Sequence, residues 1–157
     1  MREVPEDPAF DMSANEVRLR LEKGLAHFFE KDRKLLESGV REDSLAHKIA
    51  EHLAVEFDGF DVDAEYDKMH VDGIPHQKKY IGLDGKERGA IPDIIVHRRQ
   101  KMDNFVAIEI KKAENKLGRS KDFEKLNAYK WQLQYHFAVF LEIGFTDHKP
   151  VGRIQFV

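Results

Sequence analysis

Two apolar stretches decide the fold of this chain: IPDIIV at residues 91–96 and FVAIEIKK at residues 105–112. Residues 91–97 and 105–110 are almost wholly apolar, which is typical of buried β-strands. Each nevertheless contains an acid, Asp93 in the first stretch and Glu109 in the second. An ionised carboxylate in apolar surroundings is costly unless it finds a partner or shifts its pKa. We therefore expect the two acids to have a chemical purpose.

Outward from these strands, the spacing of apolar residues predicts seven further elements. In chain order they are a helix over residues 13–38 capped by Ser13, a helix from about 41 to 57, a short strand over 62–66, a hairpin of 78–83 and 86–91 around Asp84-Gly85, a helix over 119–135, a strand over 137–143 and an edge strand over 151–157. Residues 67–77 are polar and irregular, and residues 1–12 are expected to form a loose leader. This order predicts an α/β fold of the α+β kind, a mixed sheet with helices packed against it.

Composition limits the class of protein. The chain has 157 residues, of which 41% are hydrophobic and 10% aromatic, enough for one domain with a real core over residues 1–157. It has no cysteine, which excludes disulfide scaffolds, thiolate nucleophiles and cysteine-ligated metal sites. No apolar run approaches the roughly 20 residues of a membrane helix, and the first residues do not resemble a signal peptide. We expect a cytoplasmic protein with no membrane partner.

The net charge of −3 conceals an uneven distribution. Residues 1–66 hold 9 Lys and Arg against 17 Asp and Glu, whereas residues 93–135 hold 10 against 6. An acidic protein is a weak candidate for nucleic-acid binding, because phosphate contacts require basic surface. A basic stretch beside two buried acids keeps that class of partner open.

The alternation of side chains along the second strand brings an acid and a lysine to the same face. Residues two apart on a strand point to the same face, so Glu109 and Lys111 lie side by side. Two carboxylates on neighbouring strands fit Mg²⁺, which takes oxygen ligands and needs only one or two carboxylates besides water and substrate phosphate. The lysine could hold or deprotonate a metal-bound water, or neutralise charge that develops on the phosphate.

Pro92-Asp93, fifteen intervening residues and then Glu109-Ile110-Lys111 resemble the motif of the PD-(D/E)XK nuclease superfamily, which has the restriction-endonuclease-like fold. The resemblance implies an αβββαβ core over residues 40–145 with an added N-terminal helix. It also implies a nuclease that hydrolyses phosphodiester bonds through Mg²⁺-bound water, with Mn²⁺ as a substitute and DNA a better candidate than RNA. In this resemblance Asp93, Glu109 and the backbone carbonyl of Ile110 are the metal ligands, and Lys111 is the catalytic lysine.

Members of the superfamily often add a glutamate from the first core helix, and Glu42 is the candidate here. On a helical wheel Glu42 lies on the apolar, inward face, whereas Glu51 falls about 180° away on the solvent side. We therefore expect Glu42, and not Glu51, to reach the site. Acids near a helix N-terminus also favour the helix dipole, so a purely structural role for Glu42 stays open.

The helix after the motif offers candidates for substrate binding. The resemblance implies that a basic or amide side chain and a tyrosine face the cleft, with Lys125 holding a phosphate and Tyr129 orienting it. Residues 111–130 carry 7 Lys and Arg against 3 acids, including Lys116, Arg119 and Lys121 in the connection where a phosphate backbone would approach. Glu65 is a further candidate at the same cleft, or a solvated surface residue.

Two other readings remain open from the residues alone. The chain could be a catalytically silent nuclease-fold module that binds nucleic acid or a protein partner in a defence, repair or recombination assembly. It could also be an ordinary α/β domain whose acids are salt-bridged and whose Lys111 points away from them. A chain of this size leaves little room for a sequence-recognition domain, which favours a homodimer or a larger assembly.

Overall fold

The structure is a computed structural model that describes residues 12–66, 68–71, 74–99 and 103–157. These residues contain three helices: α1 (Ala14–Glu37), α2 (Glu42–Glu56) and α3 (Arg119–Trp131). The N-terminus of α1 is capped as predicted, since the backbone N–H of Glu16 donates to the Ser13 hydroxyl at 3.2 Å. None of these helices has the length and apolar character needed to cross a membrane.

Nine strands accompany the helices in the part of the chain that the structure describes. They are β1 (Asp61–Ala64), β2 (Lys68–Val71), β3 (Ile74–Gln77), β4 (Lys79–Ile81), β5 (Glu87–Gly89), β6 (Ile94–Arg98), β7 (Asp103–Lys112), β8 (Phe137–Thr146) and β9 (Lys149–Phe156). Five of them form one mixed sheet in the order β1-β6-β7-β8-β9. Its neighbours are antiparallel except β7 and β8, which are parallel and are joined by α3. A parallel pair requires such a crossover.

Helices cover both faces of the five-stranded sheet. Ile94, Val96 and Ile108 pack with α1 and α2 in one apolar cluster. Ile95 and Ala107 pack on the opposite face in a second cluster with α3. Because side chains alternate along a strand, the residues after Ala107 at every second position, Glu109 and Lys111, also face α3. The predicted α/β class and mixed sheet are confirmed.

Two local expectations were incomplete. Strands β4 and β5 pair around Asp84-Gly85, but residues 82–86 separate them instead of a two-residue turn. Gly85 has a φ of 78° and its N–H donates to the Gly82 carbonyl at 2.9 Å, so it takes the left-handed position that closes a longer loop.

The stretch 67–77, expected to be irregular, contains the antiparallel pair β2 and β3. Pairing of two short strands satisfies backbone groups without an alternating apolar pattern, so the sequence carried no signal for it. Residues 67, 72 and 73 lie outside the described residues. The predicted loose leader also falls outside them, except for residue 12.

The inward face of α2 supports the sheet and provides a test of the fold. Ile49 is completely buried, whereas Val55 on the same helix is 74% exposed. We expect Ile49→Ala to lower the free energy of unfolding by about 2–5 kcal/mol, because it leaves a cavity under the sheet. Val55→Ala is the matched control and should stay within about 0.5 kcal/mol of the wild type. Equal losses in the two variants, measured by chemical denaturation, would contradict this packing.

Candidate functional site

The candidate site lies where β7 extends beyond β6. The β6–β7 pairing begins at Ile94 opposite Ile108, so the following residues of β7 have no β6 partner on that side. Two carboxylates take the place of the missing strand. Asp93 Oδ2 accepts the N–H of Ile110 at 2.7 Å, and Glu42 Oε1 accepts the N–H of Lys112 at 3.2 Å. The backbone edge of β7 thus brings together acids from two separate parts of the chain.

The Ile110 carbonyl lies on this same edge. In an extended strand the N–H and C=O of one residue point to the same side. Since the Ile110 N–H points to Asp93 and the Lys112 N–H points to Glu42, the Ile110 carbonyl lies between the two carboxylates along the strand. Three oxygen donors therefore face one edge, including two of the three predicted metal ligands.

Glu109, the third predicted ligand, is buried beside Asp93. Its residue is 5% exposed, and the Tyr129 hydroxyl donates to its Oε1 at 2.8 Å. Burial and then the nearby Asp93 charge raise the pKa of Glu109 well above its ordinary value. Burial also raises the pKa of Asp93, against the lowering effect of the Ile110 hydrogen bond. The two carboxyls adjoin, with Glu109 buried and Asp93 half-buried, and this arrangement favours a bound proton or cation.

Two lysines flank the carboxyls but have different partners. The charge of Lys125 lowers the pKa of both Asp93 and Glu109, a smaller effect than that of burial. Lys111, predicted as the catalytic lysine, instead forms an ion pair with Asp122, with 2.9 Å between Nζ and Oδ2. Each side chain of this pair is 12% exposed. In this structure the ammonium of Lys111 is therefore held by α3.

Asp93, but not the buried Glu109, lines a cleft of about 520 Å³. Charged and amide side chains line it, namely Arg41, Glu42, Asp43, Glu65, Asp93, Lys112 and Asn115. Glu65 has a φ of 53°, which ends β1 two residues earlier than predicted, and its backbone N–H donates to the Asp93 carbonyl at 3.1 Å. Its side chain is 45% exposed and lies 3.8 Å from His47. Glu65 thus lines the cleft without contributing to the buried carboxyl pair.

Glu42 faces inward and Glu51 faces solvent, as the helical wheel predicted. The Glu51 side chain is 65% exposed and pairs with Lys48 at 3.2 Å. Glu42 Oε1 also accepts a hydrogen bond from Asn115 Nδ2 at 3.1 Å. Asn115 is a site residue that sequence reasoning missed, because nothing in the local pattern marks a contact across 73 positions of the chain.

Arg119, expected near a phosphate backbone, is used inside the protein. Its guanidinium donates to the Asn115 carbonyl at 3.1 Å and to Glu142 Oε2 at 2.5 Å. These bonds fix the connection between β7 and α3, and they hold Asn115 against Glu42. Lys116 and Lys121 in the same part of the chain are exposed, so they remain the basic side chains available there.

A second charged cluster lies on the strands β1 and β6. Asp63 receives hydrogen bonds from His97 at 2.6 Å and from Arg99 Nε at 2.9 Å. Burial lowers the pKa of His97, although the hydrogen bond to Asp63 opposes the shift. This cluster neutralises its own charges, unlike the adjoining carboxyls of Asp93 and Glu109.

The oxygen atoms at Asp93 and Glu109 fit a hard divalent cation that takes only a few of its ligands from the protein. Within the described ranges, no three His, Asp or Glu side chains form a metal centre on their own. Two carboxylates and a backbone carbonyl nevertheless match what Mg²⁺ requires, because Mg²⁺ retains several waters and completes its shell with substrate phosphate. The residues present therefore fit the Mg²⁺ ion that the sequence motif implies.

Comparison with models of protein families, with curated proteins and with solved structures gave no match to this chain. Its function is therefore inferred from the chemistry of the site itself.

The buried Glu109 makes stability depend on pH. Its folded-state pKa lies above the ordinary value of 4.5, so the folded protein retains a proton that the unfolded chain loses. The stability that this proton provides is complete below pH 4.5 and is lost as the pH rises through the folded-state pKa. We expect Glu109→Gln, which is neutral at every pH, to become more stable relative to the wild type as the pH rises, by up to about 1.4 kcal/mol per pH unit.

Chemical denaturation between about pH 4.5 and 8 without divalent cations measures this difference. Glu51→Gln makes the same change at an exposed position of α2 and is the matched control. A constant difference between Glu109→Gln and the wild type across this range would contradict the assigned shift.

Proposed function

We propose that this chain is a metal-dependent nuclease that hydrolyses phosphodiester bonds, with DNA as its substrate rather than RNA. One observation carries the proposal: the buried carboxyl of Glu109 adjoins that of Asp93, which accepts the Ile110 N–H and lines a polar cleft. Such a set of oxygen donors matches Mg²⁺ or Mn²⁺ chemistry on phosphate.

The order of the elements supports a restriction-endonuclease-like core over residues 40–145. Helix α2 is followed in the main sheet by the antiparallel strands β1, β6 and β7, then by α3 and the parallel strand β8. This is the αβββαβ order that the sequence motif implies. Helix α1 and strand β9 would be additions to that core, and they contact each other.

The side chains have separable roles in the proposed reaction. Asp93, Glu109 and the Ile110 carbonyl would hold the cation, and Tyr129 fixes the orientation of the Glu109 carboxyl. A bound divalent cation supplies Lewis-acid activation of the phosphate and of the attacking water. Glu42 accepts from the β7 backbone and from Asn115, so it is a rigid acid at the cleft rather than a solvated one.

The lysine side chains near the site would act on the substrate. The charge of Lys125 acts on both carboxyls, near which an oxygen of the scissile phosphate would lie, and Lys125 would bind that oxygen. Lys111 stands beside Glu109 on the same face of β7 and would stabilise charge that develops on the phosphate. The exposed Lys116 and Lys121 would contact the flanking nucleic-acid backbone.

One observation favours the alternative, a catalytically silent nuclease-fold module that binds nucleic acid or a protein partner. The ammonium of Lys111 is already neutralised by Asp122, as expected if the lysine served only to hold α3 on the sheet. The carboxyl pair favours the enzyme, because adjoining acids removed from water are costly and occur mainly at functional sites.

Cation binding and cleavage by Asp93→Asn test the proposal. We expect the wild type to bind Mn²⁺ or Mg²⁺ in calorimetry and to nick plasmid DNA with either cation. Asp93→Asn removes one charge from the pair and should lower the cation affinity at least about 10-fold and abolish nicking. Both proteins should show the same circular dichroism spectrum.

Asp147→Asn, an exposed change at the turn between β8 and β9, is the control and should behave as the wild type. Binding without cleavage on DNA or RNA would favour the silent module. Absence of cation binding in the wild type, with and without nucleic acid, would overturn the nuclease proposal.

A further inference from the structure

Strand β7 and helix α3 meet with opposite charges in matched positions. Lys111 of β7 pairs with Asp122 of α3, while Glu109 receives the Tyr129 hydroxyl and the attraction of Lys125. The order is reversed along the helix because α3 crosses back between the parallel strands β7 and β8. The later residue of the strand therefore meets the earlier residue of the helix.

Asp122 is well placed to hold the ammonium group of Lys111. It is 8% exposed and belongs to the first turn of α3, where the helix dipole favours a negative charge. Apart from the ion pair with Lys111, its Oδ2 has no hydrogen-bond partner in the described part of the chain. A carboxylate in this buried position is costly to leave unpaired, so the ion pair should be strongly retained.

The pair constrains Lys111 more than Asp122. A lysine side chain has four rotatable carbons and a mobile ammonium, whereas an aspartate on a helix is short and fixed close to the backbone. The carboxylate of Asp122 therefore decides where the ammonium of Lys111 lies. That position is on the face of β7 that also carries Glu109.

We infer that Asp122 is the positioning residue for Lys111, holding its ammonium at a single place beside the reacting phosphate. The inference rests on the proposed nuclease function. Asp122 itself touches neither substrate nor cation, and it acts only through Lys111. A displacement of about 1 Å of a catalytic group can cost about 100-fold in rate.

Steady-state cleavage of a DNA substrate by the full chain with Mn²⁺ measures this role. We expect Asp122→Asn to lower kcat about 10- to 100-fold, while KM and the calorimetric Mn²⁺ affinity change less than about 3-fold. Asp122→Glu keeps the charge but moves it, so its kcat should fall between those of the wild type and Asp122→Asn. If Asp122→Asn fails to fold, as judged by circular dichroism, Asp122→Glu alone carries the test, and wild-type kcat there would overturn the inference.

A double-mutant cycle separates positioning from a general structural role. In a Lys111→Ala background, Asp122→Asn should cause no further loss of kcat, because the ammonium through which Asp122 acts is already gone. Asp58→Asn, at an exposed position, is the control and should leave kcat unchanged in each of the two backgrounds. Additive losses, or a loss confined to KM, would overturn the inference and leave the nuclease proposal standing. A wild type inactive on every nucleic acid with either cation would overturn both.

Discussion

The edge of β7 beyond the start of β6 is the feature on which the site depends. Backbone N–H groups that are removed from water must find acceptors. Here the N–H groups of Ile110 and Lys112 find them in the carboxylates of Asp93 and Glu42 rather than in a neighbouring strand. One requirement of the backbone thus gathers two acids and a carbonyl at one place, from positions far apart in the sequence.

The parallel pair β7–β8 is the second constraint, because it places α3 over the face that carries Glu109 and Lys111. Helix α3 provides a partner for each of them: the Tyr129 hydroxyl donates to Glu109, and the Asp122 carboxylate pairs with Lys111. The connection before α3 is itself fixed by the bonds from Arg119, which also keep Asn115 on Glu42. Fold and candidate site are therefore held together by the same contacts.

The site contains two electrostatically different pairs: an ion pair whose charges are neutralised and two adjoining acids whose charges are not. The charges of Lys111 and Asp122 cancel each other, whereas the carboxylates of Asp93 and Glu109 repel each other. A proton, the charge of Lys125 or a bound cation reduces that repulsion. Uncompensated like charges in a buried setting are costly, and proteins accumulate them mainly at functional sites. This contrast is why the carboxyl pair, and not the Asp63–His97–Arg99 cluster, identifies the candidate centre.

The sequence by itself determined the main helices and strands, the mixed sheet and the two acids within apolar strands. The spacing of apolar residues and a charge inside an apolar stretch are local features, so they can be recognised without the tertiary structure. It also placed Glu42 inward, since a helical wheel needs only the helix. The tertiary structure alone decided that Lys111 turns to Asp122, that Asn115 and Arg119 belong to the site, and that residues 68–71 and 74–77 pair as strands. The side-chain outcomes depend on which partner each side chain meets across the packed layers, and the strand pair depends on backbone hydrogen bonds between two short segments. The spacing of residues along one strand or helix predicts neither.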